Sequence, residues 1–226
     1  MPEQEQQKFL KEKDRIQIQK HFETLQNPVA LVFFTQEIEC QFCKETRAIL
    51  TEVAELSSKI NLVTYDFQKD VQKVREYSID KIPAIAVTRT ENGRETDPGV
   101  RFYGMPSGYE FTPLILAIMA VSQGTTSLKD TTKEKIKKIT KDITIQVFTT
   151  LTCPYCSQAV STAHQLAVES DHITAAMVES MEFPHLAQKY HVMAVPKIVI
   201  NETTSFEGAL PEDKFVDEVL KAASDS

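Results

Sequence analysis

The feature that most constrains the fold of this chain is a cysteine pattern that occurs twice, 113 residues apart. All four cysteines lie in two C-x-x-C pairs, Cys40–Cys43 and Cys153–Cys156. The shift that superposes these pairs also carries Pro83 onto Pro196. A repeat of this kind indicates one structural unit used twice, and it decides the architecture before any local pattern does.

Each copy predicts the same order of helices and strands. Short β-branched and aromatic runs, Val29–Phe34 and Ile143–Phe148, precede the cysteine pairs, and helical spacing follows each pair. The order β-α-β-α-β-β-α predicts a small mixed sheet flanked by helices in each copy. We therefore expect an α/β protein of two domains, residues 1–124 and 125–226, joined near the weakly patterned stretch 122–127.

Three local patterns make further predictions. The segment Phe102-Tyr-Gly104 resembles Phe206-Glu-Gly208 at an offset of 104 residues instead of 113, so the first copy carries about nine more residues between Pro83 and Gly104 than the second carries between Pro196 and Gly208. Polar turn residues over Glu91–Pro98 predict that this extra length is a loop. Apolar spacing over Ile49–Ile60 predicts one continuous helix face, and a polar helix is expected over about Glu5–Thr24.

Composition excludes several functional classes. The chain has 226 residues, 42% of them hydrophobic, and a net charge of −7. These values exclude a disordered chain and argue against binding of nucleic-acid phosphates. The longest apolar stretch, Leu114–Val121, is far too short to cross a membrane, and Met1–Lys8 is too polar for a secretory signal. We expect a soluble, cytoplasmic protein with no nucleic-acid or membrane partner.

The two cysteine pairs fit two kinds of chemistry. Together they could supply four thiolates to one zinc ion. A C-x-x-C pair near a βαβ pattern is instead typical of a thioredoxin-like redox site. Each pair lies in its own complete unit with its own proline, which favours the redox interpretation, so no metal is expected. The chain has no G-x-G-x-x-G motif, and we expect no bound cofactor and electrons supplied by a partner.

Disulfide exchange requires a thiolate, and an unperturbed thiol is mostly protonated at neutral pH. The N–H groups and dipole at a helix N-terminus stabilise a thiolate. We therefore predict Cys40 and Cys153 as the nucleophiles. Cys43 and Cys156, three residues later, are predicted to resolve the mixed disulfide with substrate, so that each pair cycles between dithiol and disulfide.

The two sites are not expected to be equal. Glu37 and Glu39 lie just before Cys40, and nearby carboxylates raise the pKa of a thiol. Residues 149–152 before Cys153 carry no charge, so Cys153 is predicted to be the faster nucleophile. If solvent screens the two glutamates, the sites would instead be similar.

Four other residues are candidates by position. Phe42 and Tyr155 lie between the cysteines, where they are expected to contact substrate. Asp66 and Glu179 correspond under the repeat, each at the end of a predicted strand. A charged residue in that place is usually solvated, so we expect no proton-transfer role for either.

On these residues each half resembles the thioredoxin/glutaredoxin fold. In both halves an Ile-Pro or Val-Pro pair follows the second cysteine by 40 residues, and Cys153–Cys156 has the glutaredoxin-type sequence Cys-Pro-Tyr-Cys. The tandem, with both motifs intact over about Asn27–Ala222, resembles the protein disulfide oxidoreductases of thermophilic archaea and bacteria. The chain departs from ordinary thioredoxins in having no tryptophan and no Gly-Pro between its cysteines.

The resemblance implies a site and an activity. Pro83 and Pro196 are expected to be cis-prolines facing the cysteine pairs. The backbone at Ile82 and Val195 would then pair with an extended substrate segment. The implied activity is that of a protein dithiol–disulfide oxidoreductase, which reduces, forms or isomerises protein disulfides. The implied electron donor is a thioredoxin-reductase-type flavoenzyme.

Two other functions stay open at this point. One is a dedicated electron shuttle between such a flavoenzyme and one acceptor, for example a peroxiredoxin. The other is a chaperone-like module that binds peptides and for which the disulfide chemistry is incidental.

Overall fold

The computed structural model describes residues 9–225. The helices and strands, in chain order, are α1 (Glu12–Phe22), β1 (Val29–Thr35), α2 (Cys43–Ala54), β2 (Ile60–Asp66), α3 (Val71–Glu76), β3 (Ala84–Glu91), β4 (Arg94–Tyr103), α4 (Phe111–Gln123), α5 (Asp130–Ile136), β5 (Ile143–Thr149), α6 (Cys156–Val168), β6 (Ile173–Glu179), α7 (Pro184–Lys189), β7 (Lys197–Ile200), β8 (Thr204–Glu207) and α8 (Glu212–Asp225). One turn of 3₁₀ helix, Gly108–Glu110, precedes α4. Each half shows the predicted β-α-β-α-β-β-α order after an opening helix, so the α/β class is confirmed. Over residues 9–225 no helix has the length and apolar character needed to span a membrane.

The strands of both halves join into a single sheet. Its order is β2-β1-β3-β4-β6-β5-β7-β8, and the halves meet where β4 pairs in parallel with β6, from Val100 opposite Ala175 to Tyr103 opposite Val178. The repeat predicted a sheet in each copy, and the structure joins the two sheets at their edges. An unpaired β4 or β6 would expose a row of backbone N–H and C=O groups. The pairing of the two strands gives these groups hydrogen-bond partners.

The inner strands are buried on both faces, which explains their continuous apolar sequences. In β1, Leu31 and Phe33 point into the core beneath α1, α2, α4, α5, α6 and α8. Val32 and Phe34 point into the second core, on the side of α3 and α7. Successive strand residues alternate between faces, so a strand covered on both sides needs apolar residues at every position.

Two predicted elements have different bounds in the structure. Helix α1 begins at Glu12, because the N–H groups of Phe9 and Leu10 donate to the Glu52 carboxylate (2.7 and 3.1 Å) and hold the chain out of the helix. Residues 5–8 of the predicted helix lie outside the described residues. Helix α2 ends at Ala54, so the predicted helix face does not continue to Ile60, which instead begins β2.

The predicted loop over Glu91–Pro98 is a β-hairpin. Strand β3 continues to Glu91 and β4 begins at Arg94, so the extra residues of the first copy lengthen two strands. The turn is Asn92-Gly93, with φ values of 52° and 77°. Two residues with positive φ match the twist of paired strands, and Asn-Gly is the sequence that adopts them most readily.

Gly99 is required where the two halves meet. Its φ is +76°, and a Cβ there would lie 2.6 Å from the Ile173 carbonyl oxygen and 3.1 Å from Thr174 Cα. Gly93 has nearly the same φ, +77°, with nothing within 4 Å of its Cβ position. We expect Gly99→Ala to lower the free energy of unfolding by about 2 kcal/mol more than Gly93→Ala. Both substitutions strain the backbone, but only the methyl group at position 99 would push β4 away from β6. Urea denaturation measures the difference, and equal costs would contradict this account.

Candidate active sites

Both cysteine pairs lie beyond the same ends of the strands of the sheet. Strands β1 and β5 run in the same direction, because β1 is antiparallel to β3, β3 is antiparallel to β4, and β4, β6 and β5 are mutually parallel. Each pair follows the carboxyl end of its strand. Four inter-strand spacings of about 4.8 Å place those two ends roughly 19 Å apart. The two pairs therefore follow different strands of one sheet, at the same ends of those strands.

Within each pair the first cysteine is the more accessible. Both pairs are disulfide-bonded, with Cα atoms 5.5 Å apart. Cys40 is half-buried and Cys43 is buried, while Cys153 is 8% exposed and Cys156 is completely buried. Helices α2 and α6 begin at the second cysteine of each pair. The first cysteine therefore lies in the turn before the helix, beside first-turn N–H groups that have no partner within the helix.

The disulfides connect the cysteines within each motif, not across the two motifs. Across residues 9–225, no group of three or more His, Cys, Asp or Glu side chains has the arrangement of a metal site. The arrangement is that of two separate redox pairs.

The loops before Pro83 and Pro196 occupy matching positions in the two halves. The Ile82–Pro83 and Val195–Pro196 peptide bonds are both cis. At the second pair, Cys153 Sγ lies 3.7 Å from the Val195 carbonyl oxygen, so this loop borders the more accessible sulfur.

The predicted aromatic contact residues differ in exposure. Tyr155 is 70% exposed, whereas Phe42 is half-buried and directly precedes α2. Of these two residues, only Tyr155 has most of its side chain exposed to solvent.

Three glutamates lie together beside the second pair. Glu179 is buried and accepts the N–H of Glu182 (2.7 Å), and Glu182 accepts the N–H of Met105 (2.7 Å) from the first half. Glu110 is completely buried, and neither of its carboxylate oxygens has a hydrogen-bond partner among the described residues. Burial raises the pKa of Glu110 to about 8, and the charge of Glu179 adds to this. Burial also raises the pKa of Glu182 to about 7 and that of Glu179.

The structure corrects the expectation that Asp66 and Glu179 are both solvated. Asp66 is only partly buried, and its carboxylate accepts the N–H groups of Lys69 (2.9 Å) and Gln68 (3.0 Å), which lower its pKa. Glu179 is buried because β6 lies between β4 and β5, whereas β2, which carries Asp66, is at the edge of the sheet. The position of each strand in the shared sheet therefore decides whether the carboxylate at its end is buried.

Glu110 is the residue that the sequence analysis missed. It has no acidic counterpart in the second half, because the register that superposes Gly104 on Gly208 places it opposite Lys214. The available signal was an acidic residue directly before the apolar run of α4. The 3₁₀ turn that carries Glu110 is hydrogen-bonded to residues that flank the second pair in sequence. The Tyr109 N–H donates to the Leu151 carbonyl (3.1 Å), and Ser157 Oγ donates to the Tyr109 carbonyl (2.6 Å).

Comparison with known proteins agrees with this geometry. The family described as "Thioredoxin domain" matches residues 143–221. The alkyl hydroperoxide reductase AhpF of Staphylococcus aureus is 31% identical over 158 residues, which is 70% of this chain and 28% of that protein. The chain spans about a third or less of the length of the curated relatives it matches.

Two solved structures cover nearly the whole chain. A structure of the alkylhydroperoxide reductase AhpF of Enterococcus faecalis has a TM-score of 0.87 at 28% identity, covering 94% of this chain and 100% of that one. A protein disulfide oxidoreductase from Aeropyrum pernix also has a TM-score of 0.87, at 30% identity, covering 95% of this chain and 94% of that one. These likenesses confirm the tandem thioredoxin-like fold. The chain belongs to the protein disulfide oxidoreductase family and carries one C-x-x-C disulfide in each of its two thioredoxin-like units.

Proposed function

We propose that the chain exchanges disulfides with protein substrates at both sites, with Cys40 and Cys153 as nucleophiles. One observation carries the proposal. In each half, the first cysteine of a C-x-x-C disulfide is more exposed than the second and lies at the carboxyl end of a strand.

In the reductive direction the reaction has two steps. The Cys153 thiolate attacks one sulfur of the substrate disulfide; a mixed disulfide forms, and the other substrate sulfur leaves as a thiolate. The Cys156 thiolate then attacks Cys153 Sγ, which releases the second substrate thiolate and leaves the Cys153–Cys156 disulfide. Two electrons pass to the substrate, and the reverse sequence forms a disulfide. Cys40 and Cys43 play the same parts at the first site.

We also propose that Glu110 exchanges a proton with the resolving thiol. Its ionised form, a minor fraction near neutral pH, takes the proton of Cys156. Cys156 is completely buried, so water cannot easily remove its proton. Glu110 is buried one residue from Tyr109, whose carbonyl is hydrogen-bonded to Ser157, the neighbour of Cys156. A carboxyl group with a raised pKa is suited to exchange protons near neutral pH.

The substrate is proposed to bind as an extended segment along the loop before each cis-proline. The N–H of Val195 has no hydrogen-bond partner among residues 9–225 and can pair with a substrate carbonyl. Ile82 and Pro83 take the same part at the first site, as Pro196 does at the second. Phe42 and Tyr155 are the proposed side-chain contacts.

The proposed domain boundary lies between residues 124 and 125. Gly124 ends α4 in the left-handed conformation (φ 69°), and residues 125–129 lie outside any helix or strand. We assign residues 1–124 to the first redox unit and 125–226 to the second.

A second candidate function is electron transfer to one dedicated acceptor. It is favoured by the likeness to the two AhpF proteins, whose name links them to peroxide reduction. In this function a thioredoxin-reductase-type flavoenzyme would reduce one pair of the chain, which would then reduce a peroxiredoxin. Both functions use the same exchange chemistry and differ in the acceptor.

Trapping of the mixed disulfide tests the proposal. We expect Cys156→Ser to accumulate a covalent adduct with insulin chains, because the resolving thiol is missing while Cys153 can still attack. Non-reducing electrophoresis measures the adduct. Cys153→Ser/Cys156→Ser is the matched control and should trap nothing through the second site. An adduct with a peroxiredoxin but none with insulin would favour the dedicated acceptor, and no adduct with either would refute the exchange mechanism.

A further inference from the structure

The loops before the two cis-prolines share a backbone position but differ in side chains. Under the 113-residue shift, Asp80 corresponds to Met193, and Lys81 corresponds to Ala194. Met193 is 90% exposed, the highest value among the exposed large apolar residues described. Asp80 is also exposed. One site therefore presents a carboxylate where the other presents a thioether.

The surroundings of the second site are apolar as well. Tyr155 lies within the motif, and Tyr109 is exposed on the turn that is hydrogen-bonded to Leu151. Met181, which is 77% exposed, follows the end of β6, and that end pairs with the end of β5 beside the same cysteine pair. Four of the nine exposed large apolar residues described, Tyr109, Tyr155, Met181 and Met193, thus border one site. Apolar groups gathered in this way mark an interaction surface.

The first site is acidic instead. Glu37 and Glu39 are exposed just before Cys40. Asp80 is exposed as well, but its carboxylate is paired with Lys81 Nζ, which also lies 3.7 Å from the centre of the Tyr103 ring. The exposed negative charge of the first site is therefore that of Glu37 and Glu39. Ile38, between the two glutamates, is the one exposed apolar residue there.

We infer that the two sites select different substrate segments, with Met193 at the second site and Glu37 and Glu39 at the first as the specificity-determining residues. The inference rests on the proposed function. The second site takes disulfides whose flanking residues are apolar, because the flexible thioether of Met193 adapts to varied apolar side chains. The first site takes disulfides flanked by Lys or Arg, because the exposed carboxylates of Glu37 and Glu39 complement a basic segment.

Single-turnover reduction of two matched peptides tests this inference. Each peptide carries one disulfide to the same small reporter thiol, with leucines beside the cysteine in one peptide and lysines in the other. The pre-reduced variant Cys40→Ser/Cys43→Ser keeps only the second site and should reduce the leucine peptide about tenfold faster than the lysine peptide. Adding Met193→Asp should abolish or reverse that ratio. The variant Cys153→Ser/Cys156→Ser keeps only the first site and should prefer the lysine peptide, and adding Glu37→Gln/Glu39→Gln should remove the preference.

Controls separate this inference from the proposed function. Ile16→Asp changes an exposed apolar residue of α1, outside both sites, and should leave both ratios unchanged. Reduction of 2-hydroxyethyl disulfide, a small neutral substrate, by each single-site protein reports the exchange chemistry alone. If this substrate is reduced but both peptides react equally, the specificity inference is wrong. If it is not reduced by either protein, the proposed function itself fails.

Discussion

Cys153→Ser is expected to remove about nine-tenths of the insulin-reducing activity measured with dithiothreitol, while Cys40→Ser leaves most of it. The thiolate is the reactive form, and each unit of pKa changes its population about tenfold when the thiol is mostly protonated. Glu37 and Glu39 place negative charge just before Cys40, which disfavours the thiolate form of this cysteine. Before Cys153 the chain has only the uncharged residues 149–152. Burial raises the pKa of the three glutamates beside the second pair, which favours their neutral forms.

The exposure of Glu37 and Glu39 limits this difference, because solvent screens charges at the surface. The rate of insulin precipitation by the two single variants measures it. Equal losses would show that screening is complete and that the argument from the acidic residues is wrong. The double variant Cys40→Ser/Cys153→Ser sets the baseline, and activity above the rate of dithiothreitol alone would refute the thiol mechanism.

The repeat predicted much of the fold because each unit obeys local rules. The strand predicted at Val29–Phe34 extends by one residue to Thr35, and that at Ile143–Phe148 extends to Thr149. Strands buried on both faces give strong apolar runs, which are read from sequence with little ambiguity. The matched offset of Pro83 and Pro196 likewise placed both prolines at equivalent positions.

The strand pairing that joins the two units was not predictable in the same way. The pairing of β4 with β6 depends on backbone groups, which every sequence carries, and on Gly99, whose role emerges only when Ile173 lies against it. Glu110 was missed for the same reason. An acidic residue before a helix is ordinarily a favourable partner for the helix dipole at the surface. Only the packing of the first half against the second pair buries it.

The burial of Glu110 leads to the second large expected effect, on stability. Its pKa is raised to about 8 in the folded protein, against 4.5 for an ordinary glutamate. Between these values the folded protein holds a proton that the unfolded chain has lost. The free energy of unfolding therefore falls as the pH rises through this window, by an amount on the order of 4 kcal/mol for this group.

Glu110→Gln should remove this dependence, because a neutral amide of the same shape does not ionise at either pH. Urea denaturation at pH 5 and pH 8.5 measures the effect: the variant should lose markedly less stability than the unmodified protein as the pH rises. Glu179 and Glu182 remain in both proteins, so the difference between the two profiles isolates Glu110. Glu134→Gln, at an exposed position in α5, is the control and should follow the unmodified protein. Parallel profiles for Glu110→Gln would mean that the pKa of Glu110 is not raised in the folded protein. Glu110 would then be too weak a base for the Cys156 thiol, and the proposed proton exchange would be wrong.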